Sequence, residues 1–278
     1  MKFDPADHHG DDATLKLMTL AQLSAGGAWQ LELVHDRPSH VLVWFTRGQG
    51  VALFDGARHG IGAHNALFIP ARHLMMLDVG RQGFGQALLI PPNTGITLPQ
   101  SLLHLRIRDV SGQAELTALI EAMGREQNAQ RPLCESALEA YGYLVAVWLR
   151  RHLDENALAH SRSSAARRLT RSYFQRLVTH YGEPGGVSSH AEALDVTPTH
   201  LNRVCRAQTG LTASALLTQR TLHAARSLLI ATSVPAQDIA RHLGFGSAAY
   251  FTRFIQQHCG TTPSALRKSA MSKASKSA

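Results

Sequence analysis

Between positions 15 and 105 apolar residues come in short runs or alternate with polar ones, at 31–34, 41–45, 51–54, 66–69 and 86–90. Turn-forming residues punctuate them: Gly48-Gln-Gly50, Asp55-Gly56, Gly60-Ile-Gly62, Gly80, Gly83-Phe-Gly85 and Pro91-Pro92. Short strands at this spacing predict a small sandwich or barrel. From 109 the apolar period lengthens. Leu116, Leu119, Ile120 and Met123 recur at helical spacing until Pro132, and Leu138, Tyr141, Leu144, Val145, Trp148 and Leu149 form a second stripe over 135–153. That helix pair is expected either to cap the strands or to form a dimer seam.

The second half repeats itself. Residues 197–216 align with 247–266 at a constant offset of 50, with identities Arg203/Arg253, Gly210/Gly260, Thr212/Thr262, Ser214/Ser264, Ala215/Ala265 and Leu216/Leu266. Upstream the offset falls to 49, pairing Ala191 with Ala240 and Leu194 with Leu243. One extra residue therefore sits in the second copy's turn, where Gly244-Phe-Gly246 replaces Asp195-Val196. Each copy reads as a short helix, a turn and a longer helix. Ser189-x-x-Glu192 predicts a capping box opening the first short helix, and Thr197-Pro198 opens the longer one. Pro235 opens the second short helix and Ser247 caps its longer partner. Gly210 and Gly260 end the longer helices. This is helix-turn-helix spacing.

Taking Leu201, Val204 and Cys205 as inward leaves Thr199, His200, Asn202, Arg203 and Arg206 outward in the first copy. With Phe251, Phe254 and Ile255 inward, the second presents Ala249, Tyr250, Thr252, Arg253, Gln256 and Gln257. Arg pairs with guanine edges and Asn or Gln with adenine, so these residue types suit base reading. The 19 residues from Thr212 to Ile230 predict one joining helix, with Leu216, Leu217, Leu222, Ala225 and Leu229 for its core. It would span about 28 Å, near the roughly 34 Å between successive major grooves on one DNA face.

Charge sharpens that picture. Residues 160–278 hold 15 Lys/Arg against four acids, net +11, while 1–159 hold 13 against 16, net −3. A basic half joined to a mildly acidic one places any polyanion partner on the second half. The 278 residues suit two domains, and no run approaches the roughly 20 apolar residues of a membrane span. The start lacks an apolar leader core, and Cys134, Cys205 and Cys259 lack paired spacing; a cytoplasmic protein with reduced thiols is expected. Neither a nucleophile–base set nor a phosphate loop is found, so an enzyme is not expected.

Three segments carry a further resemblance: Asp238-Ile-Ala-x-x-x-Gly-Phe245, Tyr250-Phe-x-Arg-Phe254 and Gly260-x-x-Pro263-x-x-x-Arg267. Over about 165–268 the chain resembles the AraC/XylS family of transcription regulators. The resemblance implies a seven-helix DNA-binding domain whose first helix covers 169–180. It also implies base contacts at Thr199, Asn202, Arg203, Ala249, Tyr250 and Arg253. Two positions depart from the family pattern. Cys205 stands where an aromatic is usual, so a smaller first core is expected; Ala248 and Ala249 replace polar residues, weakening direct readout by the second helix.

The strand-rich half is similar to the cupin-type sensor domain of part of that family, at Gly48-Gln-Gly50 and Ile69-Pro70-x-x-His73. Such a domain implies an effector site or a dimer interface. His35, His40, His59, His64 and His73 do not complete the family's metal-ligand set, so neither metal nor cofactor is expected. His8, His9, Asp11 and Asp12 are expected in a frayed terminus rather than at a metal. Trp29, Trp44 and Phe68 suit either a pocket or a packed core.

The expectation is an α+β protein of two domains: a cupin-like β-barrel with helices, then an all-α double helix-turn-helix domain. Its segments would be a disordered lead over 1–14, a sensor or dimerisation domain over 15–153, a linker over 154–166, the DNA-binding domain over 167–268 and a disordered tail over 269–278. Operator DNA across two adjacent major grooves, a small-molecule effector and a second copy of the chain are the expected partners. RNA polymerase joins them if the protein activates, and a membrane does not. Two other readings stay open, a cupin metalloenzyme tethered to DNA and a DNA binder that senses nothing.

Overall fold

The computed structural model describes residues 14–156 and 164–277. The chain opens with β1 (Lys16–Thr19), α1 (Leu20–Leu23) and α2 (Trp29–Glu32). Strands follow as β2 (His40–Arg47), β3 (Gln49–Phe54), β4 (Ala57–Gly62), β5 (Asn65–Ile69), β6 (Met75–Asp78), β7 (Phe84–Ile90) and β8 (Leu103–Arg106). Helices complete it: α3 (Val110–Ala129), α4 (Cys134–Asn156), α5 (Ala165–Thr179), α6 (Val187–Glu192), α7 (Pro198–Thr209), α8 (Ala213–Ala231), α9 (Ala236–His242), α10 (Ala248–Cys259) and α11 (Pro263–Ser277).

The strands make two antiparallel sheets, β1-β7-β2-β5-β8 and β4-β3-β6, and do not close into one barrel. Alternation along β2 explains the layering. Val41, Val43 and Phe45 face the smaller sheet, meeting Ala52, Phe54, Ile61 and Met75 in a shared core. Leu42 and Trp44 face the other way, onto Leu116, Ile120, Met123, Val145, Trp148 and Leu149 of the α3–α4 hairpin. Because both faces of β2 are covered, it reads as a continuous apolar run rather than an alternating one. Trp44 and Phe68 are packed core residues.

The outer face of the smaller sheet is covered in turn. Leu53, with Val34 and Leu74, packs on Tyr173, Phe174 and Leu177 of α5 and on Leu201 and Cys205 of α7. A polar grip reinforces this seam. Asp55, at the tip of the β3–β4 turn, accepts from Arg167 at 2.9 Å and from Arg171 at 2.7 Å. Gly56 follows it with φ +69°, and a Cβ there would lie 2.6 Å from the backbone nitrogen of Arg171. Glycine is what lets the turn press against α5. Deeper in the seam Asp36 pairs with Arg220 of α8 at 2.5 Å and with Arg72 at 3.5 Å.

Several sequence expectations are corrected. Segment 31–34 was expected as a strand, but Trp29–Glu32 is a single helical turn burying Leu31; four apolar residues cannot distinguish the two. Strands β1, β4, β6 and β8 fall outside the expected set, since they are short or carry few apolar residues. Of the α4 stripe, Leu138, Val145, Trp148 and Leu149 are buried against the sheet and Tyr141 packs beside them, whereas Leu144 is exposed, together with Tyr143 and Val147 outside the stripe. Helix reaches Asn156 and resumes at Ala165, into both ends of the expected linker, and α11 continues through the expected tail to Ser277. Residues 1–13 of the expected 1–14 lead and the rest of the linker, 157–163, lie outside the described residues.

Candidate nucleic-acid interface

Each repeat folds as expected except at the start of the first short helix. In the first, Thr197 caps α7 by accepting from the His200 amide at 3.2 Å, and Pro198 takes the first helical position. Gly210 ends it at φ +82°. The second mirrors this: Ser247 accepts from the Tyr250 amide at 3.1 Å, and Gly260 ends α10 at φ +68°. The Ser189–Glu192 capping box does not form. Helix α6 begins three residues earlier, capped at Gly186, and the Ser189 hydroxyl donates to the Gly186 carbonyl at 2.9 Å.

The inward sets hold except that Phe254 is only half-buried. Leu201, Val204 and Cys205 are buried in the first unit, Phe251 and Ile255 in the second. Burial pushes the Cys205 thiol up to about 12, so it packs as a neutral group. Phe245, with ring centroids 5.1 Å from both Phe251 and Phe254, adds aromatic volume to the second unit.

The outward residues sort into three groups. Thr199, His200, Arg203 and Arg206 are exposed on α7, with an Arg203 guanidinium nitrogen 3.2 Å from His200 Nδ1. Asn202, expected among them, is half-buried and both ends of its amide are used. It donates to the Pro198 carbonyl at 3.0 Å and accepts from the Ser214 amide at 3.1 Å, pinning the start of α8 to α7. On α10, Ala249, Tyr250, Arg253, Gln256 and Gln257 are exposed; Thr252 turns back to donate to the Ala248 carbonyl at 2.9 Å. One rigid α8 of 19 residues joins the units, so two exposed helices with hydrogen-bonding side chains ride on a basic body.

The histidines of the strand-rich half are dispersed. His59 stacks on Phe54 at 4.0 Å, and burial followed by Arg167 pushes it down to about 4. His40 accepts from the Ala71 amide, and burial followed by the charge of His73 lowers its pKa. His64 lies beside Trp44, and His35 stacks on His223 of α8 at 4.4 Å. No cluster of three or more His, Cys, Asp or Glu able to hold a metal occurs among the described residues. A cavity of about 500 Å³ opens at the seam between the halves, lined by Asp36, Arg72, Tyr181, Arg220, His223 and Leu228 among others. Sequence reasoning did not find it, because its walls come from segments almost 200 positions apart.

Two exposed second helices, each seated on a short first helix, define a double helix-turn-helix. A family described as "Helix-turn-helix domain" matches residues 190–269. The C-terminal part of the chain is an AraC-type helix-turn-helix domain, and α5–α11 supply the seven helices that the AraC/XylS resemblance implied.

No curated protein matches the chain. Among solved structures it is similar to apo ToxT K231A from Vibrio cholerae, at 10% identity over 90% of this chain and 95% of that one, with a TM-score of 0.41. The C-terminal domain of AraT, a response regulator from Geobacillus stearothermophilus, aligns at 28% identity over 39% of this chain and 88% of that one, with a TM-score of 0.35. The xylose-binding transcription activator xylR aligns at 22% identity over 47% of this chain and 39% of that one, with a TM-score of 0.32. None of these scores places whole chains in one arrangement. No helix among the described residues is long and apolar enough to cross a membrane.

Proposed function

We propose that the chain is a sequence-specific transcription regulator that reads two adjacent major grooves with α7 and α10. The observation that carries this reading is the duplicated exposed helix on a basic body. Thr199, His200, Arg203 and Arg206 would do most of the base reading. Tyr250, Arg253, Gln256 and Gln257 would add contacts, with Ala249 at most touching a thymine methyl. Asn202 would act by holding the α7–α8 corner. Selection of sites from random DNA by the full chain tests this. A recovered consensus whose binding falls steeply with salt supports it, and uniform retention of all sequences contradicts it.

Two finer features belong to the same reading. The cupin-like half would respond to a small effector, and the seam cavity is the place a ligand would bias how the halves sit. A compound that binds the folded chain raises its thermal midpoint, so a panel of acids, sugars and aromatics provides the check. The protein would also dimerise through the outer face of α4, where Tyr143, Leu144 and Val147 are exposed. Leu144→Glu with Val147→Glu should then yield a folded monomer by sedimentation. Trp148 is not a suitable target, because it is buried in the sheet-facing core.

A further inference from the structure

The two units are copies, yet one buried position differs sharply in chemistry between them. At the offset of 49 that pairs Ala191 with Ala240, His190 of α6 pairs with Ile239 of α9. His190 is fully buried and Ile239 is 1% exposed. Isoleucine satisfies such a site by volume alone. An imidazole brings two ring nitrogens, and neither has a hydrogen-bond partner among the described residues. The ring stands edge-on to Tyr173 at 5.4 Å, and the Tyr173 hydroxyl already donates to the Ala213 carbonyl at 2.8 Å.

The neutral ring thus hides polar atoms at some cost, and the protonated ring would hide two donors and a full charge at a much greater one. Its surroundings do not compensate. Helix α5 presents Tyr173 and Arg176, with His180 at its end, and the following loop presents Glu183. Of the helices packed on α6, α7 carries Cys205 as a neutral thiol, and α8 carries Arg220, which is committed to Asp36 and to the face of Tyr181. Burial first, then Arg176, with His180 adding, lowers the pKa of His190 below its usual 6.5 against an opposing pull from Glu183.

We propose that His190 makes the first helix-turn-helix unit, and not the second, open as its surroundings acidify. Opening frees the ring to take up a proton that the closed unit refuses. The open state therefore binds more protons, and stability rises with pH. The contribution is complete above the ordinary value of about 6.5 and is lost as pH falls below it, by at most about tenfold in the closed-to-open ratio per pH unit. Helix α6 supports α7, so acid would withdraw Thr199, His200, Arg203 and Arg206 while leaving α10 in place. The switch is a property of the fold and stands whether or not the DNA-reading assignment does.

Amide hydrogen exchange on the full chain without DNA, at about pH 7.5 and about pH 5.5 and corrected for intrinsic rates, tests this. Protection across α6 and α7 should fall, by at most about tenfold, while α9 and α10 keep theirs, and His190→Ile should abolish the fall. Equal loss in both units, or a loss that survives His190→Ile, overturns the proposal. Should that variant fail to fold, NMR titration of the His190 ring in the wild-type chain decides. A midpoint below 6.5 supports the switch and one at or above it refutes it.

Discussion

The first helix-turn-helix unit is built into the body of the protein, while the second stands nearly clear of it. The core around Leu201 and Cys205 reaches across to Val34, Leu53 and Leu74 of the strand-rich half. The core around Phe251 and Ile255 is closed by Leu243, Leu228 and Leu266 of its own domain, with Leu33 at its edge. Duplication thus copied the frame, the caps and the terminating glycines, while the interiors took different routes to the same volume. Where the second unit packs Phe245 and Phe254, the first borrows a sheet. The outer faces diverge as well, with four exposed polar side chains on α7 and an alanine-led start on α10.

The largest effect that would break this comparison lies in the self-contained core. Phe251→Ala should cost about 3–5 kcal/mol, the usual range for emptying a fully buried aromatic site, read by chemical denaturation. Cys205→Ala should cost only about 1 kcal/mol, because so little apolar volume is removed. Similar losses at both sites would mean that the first unit does not depend on the sheet.

The polar seam sharpens the comparison next. Asp55→Asn removes the charge that holds Arg167 and Arg171, and should cost roughly 1–3 kcal/mol, less at high salt because the arginines are partly exposed. Hydrogen exchange should show the loss in α5–α7 and not in α9–α10. Loosening of the second unit instead would show that the seam does not discriminate between them.

Asn202→Ala is a smaller test. Its amide accepts from Ser214 at the start of α8, so its loss should resemble loss of a helix cap, about 1 kcal/mol. The selected DNA consensus should keep its bases while binding weakens. A consensus that changes at one base would return Asn202 to the reading face.

Most of the second half was legible in the sequence because its signals are local. Caps, glycine ends and a repeat register lie within a few residues of what they specify, and Thr197, Ser247, Gly210 and Gly260 all serve as read. The bond from Asn202 to Ser214 escaped the sequence reading because its partner is twelve residues away, across a corner that helical periodicity does not describe. The missed strands share that difficulty. Strand β4, Ala57-Arg-His-Gly-Ile-Gly62, buries one residue, Ile61, and is held in place by pairing with β3 along its whole length. The seam was invisible for the same reason: the pairings of Asp36 with Arg220 and of Asp55 with Arg171 join positions 184 and 116 apart.

The central claim is that both helices meet DNA and that the first reads more of the sequence. Base-protection footprinting of the full chain on a selected site, with Arg203→Ala and Arg253→Ala beside the wild type, tests it most directly. Two protected major-groove tracts about 10 base pairs apart on one face are expected. Arg203→Ala should cost about 1–3 kcal/mol and relax preference at one base, whereas Arg253→Ala should weaken binding with little change in preference. A single protected tract, or loss of sequence preference in Arg253→Ala with Arg203→Ala unchanged, would contradict the account.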